Sequence, residues 1–343
     1  MKYKTHLFTV SLVFGIAISA TAQKPNLVVE PGSQSKIELS QFPDLPEELT
    51  SFGATMLDNR IFVYGGHTGS AHSYSTAEQS NRFWSLDLDS QPQQAKWEKL
   101  PEGPKLQGLA LVAVGSKIVR LGGFTAMNAE GEEHDLHSQS TVAAYDPKTK
   151  KWSALPPMPE PRSSFDAVAV GTTIYIAGGW NMNGENQTDW HKTAWSIDLS
   201  NENAKWEALP NAPFQCRAVS VAALDRKLFV IGGMQMKSGP TTEVHVFDMD
   251  SQKWSAGPKI PGSGMSGFGT AAFATGGGLY VSAMDGFVHK LSKQGDQWRT
   301  IAKQEPSRFF HRMLPVSKNK MILLGGANMQ IGKFTELEEL TIR

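Results

Sequence analysis

The sequence predicts an all-β fold built from repeated four-stranded units, and two recurring features support this prediction. An apolar segment ending in a glycine pair occurs five times, with the pairs at 65–66, 122–123, 178–179, 232–233 and 325–326. Five tryptophans, usually followed by Leu-Pro or a similar pair, alternate with the glycine pairs, at positions 97, 152, 206, 254 and 298. Because such recurrence is the signature of a repeat architecture, function must be sought where the repeat is broken.

The spacing of the glycine pairs gives the number of units. The first four pairs lie 57, 56 and 54 residues apart, whereas 93 residues separate the fourth pair from the fifth. The longer gap holds two units, and the earlier of these has Ala283-Met284 in place of its glycine pair. The chain is therefore predicted to contain six repeats, five with intact pairs and one degenerate.

Each unit reads as four short antiparallel strands. In the third unit, an alternating segment over 164–170 leads through a turn to the apolar strand 174–177, and 193–197 and 205–209 follow as third and fourth strands. Second strands recur at 61–64, 118–121, 228–231, 279–282 and 321–324, and third strands at 83–88, 142–146, 243–248 and 287–291. These segments resemble kelch repeats, whose units are the blades of a β-propeller.

The resemblance covers residue 36 to the C-terminus and implies a six-bladed kelch β-propeller. The blades fall at about 50–101, 106–157, 162–211, 216–261, 266–301 and 308–343. The last blade lacks a fourth strand and its tryptophan, since the chain ends after its third strand. The segment Leu39-Ser40-Gln41-Phe42-Pro43-Asp44-Leu45-Pro46 matches Trp97-Glu98-Lys99-Leu100-Pro101, with Leu39 in the tryptophan position, so residues 36–43 are read as an outer strand. We expect this N-terminal strand to close the sixth blade and to cover its edge.

Composition and the N-terminus point to an exported protein. Residues 1–22 read as a signal peptide, with Lys2 and Lys4 before an apolar run and small residues near Ala22, which leaves 23–343 as one propeller domain. No later apolar stretch is long enough for membrane insertion, so a periplasmic or extracellular location is expected. The 33 basic residues balance the 33 acidic ones, which disfavours nucleic acid as a partner. The single cysteine, Cys216, allows no internal disulfide.

The candidate binding surface is the face on which the second-to-third strand loops emerge. These loops are long in the first three blades, at about 67–81, 125–140 and 181–192, whereas the opposite face carries tight turns. We call the surface with the long loops the loop face. Long loops on a rigid scaffold commonly carry function.

Four arginines lie where the chain enters the inner strands on this face: Arg162, Arg217, Arg308 and Arg312. Guanidinium groups that converge on a cleft suit a carboxylate or polyol ligand. The other interpretation is that they hold backbone carbonyls between the blades. Asp166 stands near Arg162 where other blades have small residues, and it is expected either to form an ion pair or to act as a general base, with Arg217 as the other candidate catalytic residue.

The loops also contain histidines and aromatic residues. Two imidazoles at His134 and His137 have a spacing that suits a shared metal, but it equally suits an ordinary polar loop, so no metal site and no cofactor are predicted. Tyr74 and Trp190 are candidates for stacking on a sugar ring or anchoring a partner loop. Trp180 directly follows a glycine pair, and packing between blades is expected for it.

Two functions remain open, and the oligomeric state is undetermined by the sequence. The first is a non-catalytic module that binds an unidentified protein or carbohydrate through the loop face. The second is an enzyme similar to the exported bacterial kelch proteins that interconvert sialic acid anomers. In such an enzyme an arginine would hold the carboxylate, and Asp166 with Glu185 or Asp189 from a loop would exchange protons. A copper radical oxidase of the galactose oxidase type is rejected because Cys216 lies far in the ring from Tyr74, the one loop tyrosine.

Overall fold

The structure, a computed structural model, describes residues 27–184 and 188–343. The predicted signal peptide and Glu185, a loop acid that could serve in proton transfer, lie outside the described residues. Within them the chain forms six four-stranded antiparallel sheets in which successive strands lie side by side. This arrangement confirms the prediction of an all-β propeller.

Each blade has four strands, which follow one another from the channel outward. Their bounds are Gly53–Leu57, Arg60–Tyr64, Phe83–Asp87 and Glu98–Leu100 in blade 1; Ala110–Val114, Lys117–Leu121, Val142–Asp146 and Lys151–Leu155 in blade 2; Asp166–Val170, Thr173–Ala177, Trp195–Asp198 and Glu207–Ala208 in blade 3; Ser220–Leu224, Lys227–Ile231, Val244–Asp248 and Lys253–Ala256 in blade 4; Ala271–Thr275, Gly278–Ser282, Phe287–Leu291 and Trp298–Lys303 in blade 5; and Arg312–Ser317, Lys320–Leu324, Glu338–Thr341 and Lys36–Leu39 in blade 6.

The N-terminal strand completes blade 6, as the sequence predicts. Lys36–Leu39 pairs antiparallel with Glu338–Thr341, so that Lys36 faces Thr341 and Leu39 faces Glu338. Each inner strand contacts the inner strand of the next blade, and that of blade 6 contacts that of blade 1. The ring is therefore closed by one strand from the start of the chain and three from its end.

The repeated tryptophans bind the blades to one another around the rim. Each indole N–H donates to the carbonyl of the proline that ends the Leu-Pro or similar pair of the preceding blade. These bonds join Trp97 to Pro43, Trp152 to Pro101, Trp206 to Pro156, Trp254 to Pro210 and Trp298 to Pro258, at 2.7–3.1 Å. Pro43, a few residues after the N-terminal strand Lys36–Leu39, serves as the proline of blade 6. Because each tryptophan bonds to a proline of the preceding blade, the Trp and Pro positions repeat together.

The glycine pairs are required because each one approaches the backbone of a neighbouring connection. Gly122 has φ 52° and Gly233 has φ 90°, both in the left-handed region that favours glycine. A Cβ at Gly122 would lie 2.5 Å from the Arg162 carbonyl oxygen, and one at Gly233 would lie 2.5 Å from that of Arg217. The pairs thus let the loops leave the second strands tightly against the segments that enter the inner strands.

Short hairpins extend blades 2, 3, 4 and 6 on the loop face. Their strands are Phe124–Ala126 with Leu136–Ser138, Trp180–Asn181 with Asp189–Trp190, Met234–Gln235 with Gly239–Pro240 and with Cys216–Arg217, and Ala327–Asn328 with Gly332–Lys333. A 3-10 turn, Gly264–Gly267, precedes blade 5. No helix in the described part of the chain is long and apolar enough to cross a membrane.

Candidate ligand-binding face

Arg162 lies inside blade 3 rather than at the surface. Its side chain is fully buried, and its Nη1 donates to the carbonyl oxygens of Gly178 at 2.5 Å and Thr193 at 3.1 Å. Its Nη2 donates to the Thr193 hydroxyl at 2.6 Å and lies 3.7 Å from the Glu160 carboxylate. Burial lowers the pKa of Arg162 to about 10, which leaves it charged at neutral pH. The guanidinium therefore holds the loop ends of its own blade.

Arg308 does the same in blade 6. It is 2% exposed, and its Nη1 donates to the Glu336 carbonyl at 2.8 Å and to that of Gly325 at 3.5 Å. Its Nη2 lies 3.2 Å from the buried Glu338 carboxylate, and its guanidinium stacks on Phe334. Burial raises the pKa of Glu338, and the charge of Arg308 opposes that rise. The structure thus gives both Arg162 and Arg308 the structural role that the sequence left as an alternative to ligand binding.

Arg217 takes a different place because it stands one position further along its connection. It pairs with Met234, just as Ser163 pairs with Trp180 and Phe309 with Ala327 in blades 3 and 6. This register carries its side chain onto the loop face instead of into the blade. The uneven spacing of the three arginines from their glycine pairs is the sequence signal of this difference.

The Arg217 guanidinium lies against aromatic rings without an acidic partner. Its central carbon is 4.3 Å from the centre of the Trp180 ring and 5.6 Å from that of Trp190, and the two rings meet edge to face. Its Nη2 contacts the Met234 sulfur at 3.3 Å, and no carboxylate pairs with it among residues 27–184 and 188–343. Its Nε is buried and makes no hydrogen bond within that part of the chain. Burial lowers the pKa of Arg217.

Tyr74 approaches the same place from the loop of blade 1. Its ring packs on His67, Phe124 and His134, with ring centres 5.0, 5.8 and 5.3 Å away. Burial raises the pKa of the Tyr74 hydroxyl, and the positive charge of Arg217 opposes this rise. Tyr74 of blade 1 thus lies within electrostatic range of Arg217, although the two residues belong to opposite blades.

The blade 1 loop is held in this position by hydrogen bonds. His67 bonds through Nε2 to the Ser73 carbonyl at 2.7 Å, and Asn128 donates to the Tyr74 carbonyl at 2.7 Å. The Gln79 amide pairs with both backbone groups of Ala126, at 2.8 and 2.9 Å. The loops of blades 1 and 2 therefore form one ordered surface rather than two independent segments.

Asp166 and Arg312 meet across the channel at its loop-face end. Arg312 donates from Nη1 to Asp166 Oδ1 at 3.1 Å, from Nε to the Phe52 carbonyl at 3.0 Å and from Nη2 to the Leu109 carbonyl at 3.3 Å. The other Asp166 oxygen accepts from the Val221 N–H at 3.0 Å. The pair thus links residues of five blades, namely 1, 2, 3, 4 and 6. Asp166 therefore forms an ion pair, one of the two roles that the sequence left open for it.

The channel beneath this pair is a cavity of about 340 Å³. Small apolar side chains line it, among them Ala54, Val112, Ala167, Ala222, Ala272 and Leu314. Its polar groups near the loop face are already engaged in the Asp166–Arg312 contact. Of the four arginines singled out in the sequence, Arg217 is therefore the one without an oxygen acceptor among the described residues.

The loop histidines take separate partners. His137 lies 2.6 Å from the Asp135 carboxylate, whereas His134 packs on Tyr74. In the part of the chain that the structure describes, no group of three or more histidine, cysteine or acidic side chains is placed to hold a metal ion. His191 contacts Glu160 at 2.6 Å, and the hydrogen bonds from His191 and Thr193 help to lower the pKa of Glu160 to about 2 against the effect of burial.

Trp180 forms the nearer ring beside Arg217, although its sequence position indicates packing between blades. The signal that could have identified it is its register: it lies opposite Ser163, at the same level as the Arg217–Met234 pair of the next blade. The candidate site thus consists of Arg217, Trp180, Trp190 and Tyr74, with Met234 at its edge.

The fold and this loop face define a β-propeller of the kelch class. A family model described as the KLHDC2/KLHL20/DRC7 Kelch-repeats domain matches residues 27–179 and 108–326. The chain therefore belongs to the kelch-repeat family, and the resemblance inferred from the glycine pairs is confirmed.

Individual relatives share the repeats over part of their length. Beta-scruin of Limulus polyphemus is 29% identical over 208 residues, which are 60% of this chain and 21% of that protein. Kelch-like protein 35 of Mus musculus is 24% identical over 220 residues, 64% of this chain and 32% of that protein. The chain thus spans less than a third of the length of these curated relatives. A solved structure of YjhT, 15% identical, matches with a TM-score of 0.68 over 87% of this chain and 96% of that one, a likeness of fold.

Proposed function

We propose that the protein is an exported binding module that takes an anionic ligand on its loop face. The observation that carries the proposal is the Arg217 guanidinium, which has two tryptophan rings beside it and no carboxylate partner in the described residues. A guanidinium in this state gains charge-assisted, forked hydrogen bonds when a ligand carboxylate arrives. Kelch domains generally bind proteins, so a protein carboxylate is one candidate for this ligand. The carboxylate of an acidic sugar is the other.

The neighbouring rings define what surrounds that carboxylate. Trp180, Trp190 and Tyr74 present flat apolar surface with polar edges, which suits the face of a sugar ring or a peptide side chain. Their loops are fixed by hydrogen bonds, including that from Gln215 Nε2 to the Trp190 carbonyl at 2.7 Å. A preformed surface of this kind loses little conformational freedom on binding.

A second candidate, a mutarotase acting on a sialic acid, is supported by the same combination of arginine and stacked rings. In this candidate Arg217 holds the sugar carboxylate. Asp166, the proton acceptor that the sequence offers, is engaged by Arg312 and by the Val221 N–H. The binding function needs only Arg217 and its rings, so the geometry supports it better than the mutarotase.

Titration calorimetry with N-acetylneuraminate and glucuronate, against neutral glucose, tests the proposal. We expect the acids to bind wild type and R217Q to weaken them by roughly tenfold or more, the loss of a forked charged contact. The matched control is R226Q, because Arg226 is an exposed arginine of the opposite face, paired with Asp250. Equal affinity in R217Q and wild type would refute the site. Faster exchange between sialic acid anomers in NMR spectra with the protein present would favour the second candidate.

Export is tested separately. In the source cell, N-terminal sequencing of the mature protein is expected to begin near Gln23, and the protein is expected outside the cytoplasm. A mature protein that retains residues 1–22 in the cytosol would contradict this part of the proposal.

A further inference from the structure

The degenerate repeat leaves a gap in the loop face. Blades 1 to 4 and blade 6 carry loops or hairpins after their second strands, but blade 5 joins Ser282 to Phe287 by a short turn. This turn is closed by hydrogen bonds between Ala283 and both Phe287 and Gly286 at 2.9 Å. We call the resulting opening the blade 5 gap.

The floor of the blade 5 gap is aromatic. Phe268, Phe309 and Phe310 lie before the inner strands of blades 5 and 6, and the ring of Phe310 lies 5.0 Å from that of Phe268 and 5.3 Å from that of Phe309. All three are half-buried. Phe268 and Phe309 stand three residues before their inner strands, as Arg217 does in blade 4. The floor therefore occupies, in blades 5 and 6, the positions that Arg217 occupies in the neighbouring blade 4.

Phe310 adopts a backbone conformation that a bulky residue rarely takes. Its φ is 53°, in the left-handed region. The corresponding left-handed positions of the other blades hold the small residues Ser51, Gly108, Ser164, Ala218 and Gly269. Backbone strain of this kind, of order 1 kcal/mol or more, tends to occur at functional sites. A phenylalanine here is unnecessary for the turn, and its ring adds apolar surface at the mouth of the channel.

Exposed apolar side chains flank the gap on both sides. Among the described residues the large exposed apolar side chains are Val28, Leu39, Met127, Met236, Met265, Met329 and Ile331. Met236 and Met265 lie on the blade 4 side, where the 3-10 turn contacts the hairpin strand Gly239–Pro240. Met329 and Ile331 lie on the hairpin of blade 6. Exposed apolar groups gathered around one recess mark an interaction surface, and methionine adapts to varied partners.

Two basic side chains and one acidic side chain lie beside the gap. Neither Arg217 nor the exposed Lys237, at the tip of the blade 4 hairpin, has a carboxylate partner in the described residues. The acid nearest the gap in sequence, Asp285, accepts hydrogen bonds from the Ser266 hydroxyl at 2.6 Å and the Phe287 N–H at 3.2 Å. The gap therefore offers apolar surface that ends at the Arg217 guanidinium, which has no carboxylate partner in the described residues, while the Asp285 carboxylate is held by neutral donors within the blade 5 turn.

We infer that the blade 5 gap receives an extended polypeptide segment of another protein, with apolar side chains on the Phe268–Phe309–Phe310 floor and a carboxylate at Arg217. This inference rests on the proposed function, which it extends from an anionic ligand to a peptide partner. Exposed apolar side chains stand on both walls, in the hairpins of blades 4 and 6, and a segment that crosses blade 5 contacts both walls. The open side of the gap, over the blade 5 turn, is where the segment enters.

The test uses a displayed library of random linear 12-residue peptides selected on the whole protein, followed by fluorescence polarisation with the enriched peptides. We expect them to combine apolar residues with Asp or Glu. The double variant M265S/I331S is expected to lose roughly tenfold or more in affinity, because it removes apolar contacts from both walls. M127S is the matched control, since Met127 is an exposed methionine of the same face outside the gap. Its affinity is expected to stay within about twofold.

The outcomes separate the inference from the proposed function. No enriched peptide, or peptides that bind M265S/I331S as well as wild type, overturns the peptide partner, whereas small acids that still need Arg217 leave the anion site standing. Peptides that depend on Met265 and Ile331 but bind R217Q unchanged support the gap and overturn the anion site. Thermal melting of each variant verifies that the folded state is retained.

Discussion

Arg312 of blade 6 donates a hydrogen bond of 3.1 Å to Asp166 of blade 3, directly across the ring. The two side chains also bind backbone groups of blades 1, 2 and 4. One ion pair therefore ties together inner strands or their connections in five of the six blades. Its position explains why an acid and an arginine replace small residues at these two points of the repeat.

Removing Arg312 is expected to destabilise the fold. In R312Q the Asp166 carboxylate loses its charged partner and two carbonyls lose their donors, so we expect a fall of about 2–3 kcal/mol in the free energy of unfolding. Urea denaturation measures this. D166N, which keeps its acceptor oxygen and its shape, is expected to cost less than R312Q. A change below about 0.5 kcal/mol in R312Q would show that the pair does not hold the blades.

The two kinds of arginine are expected to separate in a stability measurement. R162M leaves the carbonyls of Gly178 and Thr193 unpaired inside the blade, so a loss of about 2–4 kcal/mol is expected. R217M removes a group without such partners, and a change within about 1 kcal/mol is expected. Chemical denaturation of both variants gives the comparison. Similar losses in the two would mean that Arg217 is structural as well.

Stability is expected to fall between pH 7 and pH 5 because of buried histidine. Burial, with the charges of Arg308 and Arg312, lowers the pKa of His311 to about 3, and burial lowers that of His289 to about 4. The histidines of the unfolded chain, with a pKa near 6.5, bind protons in this range, whereas those of the folded protein do not. The free energy of unfolding is therefore expected to be lower at pH 5 than at pH 7 by about 2 kcal/mol per histidine.

The variant H311F tests this assignment, because Phe52 and Phe165 stand just before the inner strands of blades 1 and 3 as His311 does in blade 6. Its stability relative to wild type is expected to rise by about 2 kcal/mol on going from pH 7 to pH 5. H72N is the control, since His72 is exposed and asparagine accepts its left-handed backbone. If the free energy of unfolding changed with pH equally in H311F and wild type, His311 would not be the source of the pH dependence.

The N-terminal strand is expected to be essential for ring closure. A protein lacking residues 24–44 exposes the edge of Glu338–Thr341 and removes the Pro43 acceptor of Trp97. We expect a drop in melting temperature of roughly 10 °C or more, because each lost kcal/mol shifts Tm by several degrees. A protein lacking only residues 24–28 serves as control. An unchanged Tm in the longer deletion would contradict closure by this strand.

Much of the fold follows from the sequence because the repeat records contacts between blades. The glycine pairs mark close backbone approach, and each Trp–Pro pair marks a hydrogen bond around the rim. The short segment around Leu39 is identifiable as the missing outer strand because it keeps this spacing without its tryptophan. These are local patterns that recur, and so they can be recognised without coordinates.

The site was only partly predictable because side-chain direction depends on register. Arg162, Arg217 and Arg308 all stand at entries to inner strands, yet a difference of one residue in register puts two into the blades and one onto the loop face. Trp180 reads as a packing residue after its glycine pair, and only the hairpin brings it to Arg217. The short connection that creates the blade 5 gap can be read from the sequence, but the side chains that surround the gap are known only from the structure.

Anion binding at Arg217 can be observed at the residue itself by following the side-chain Nε–H resonances of the arginines by NMR while N-acetylneuraminate is added. We expect the Arg217 signal, identified by its loss in R217K, to shift with saturation, while those of the buried Arg162 and Arg308 and of Arg226 on the opposite face stay in place. Saturable binding of the ligand with an unmoved Arg217 signal would contradict the assignment of the anion site to Arg217.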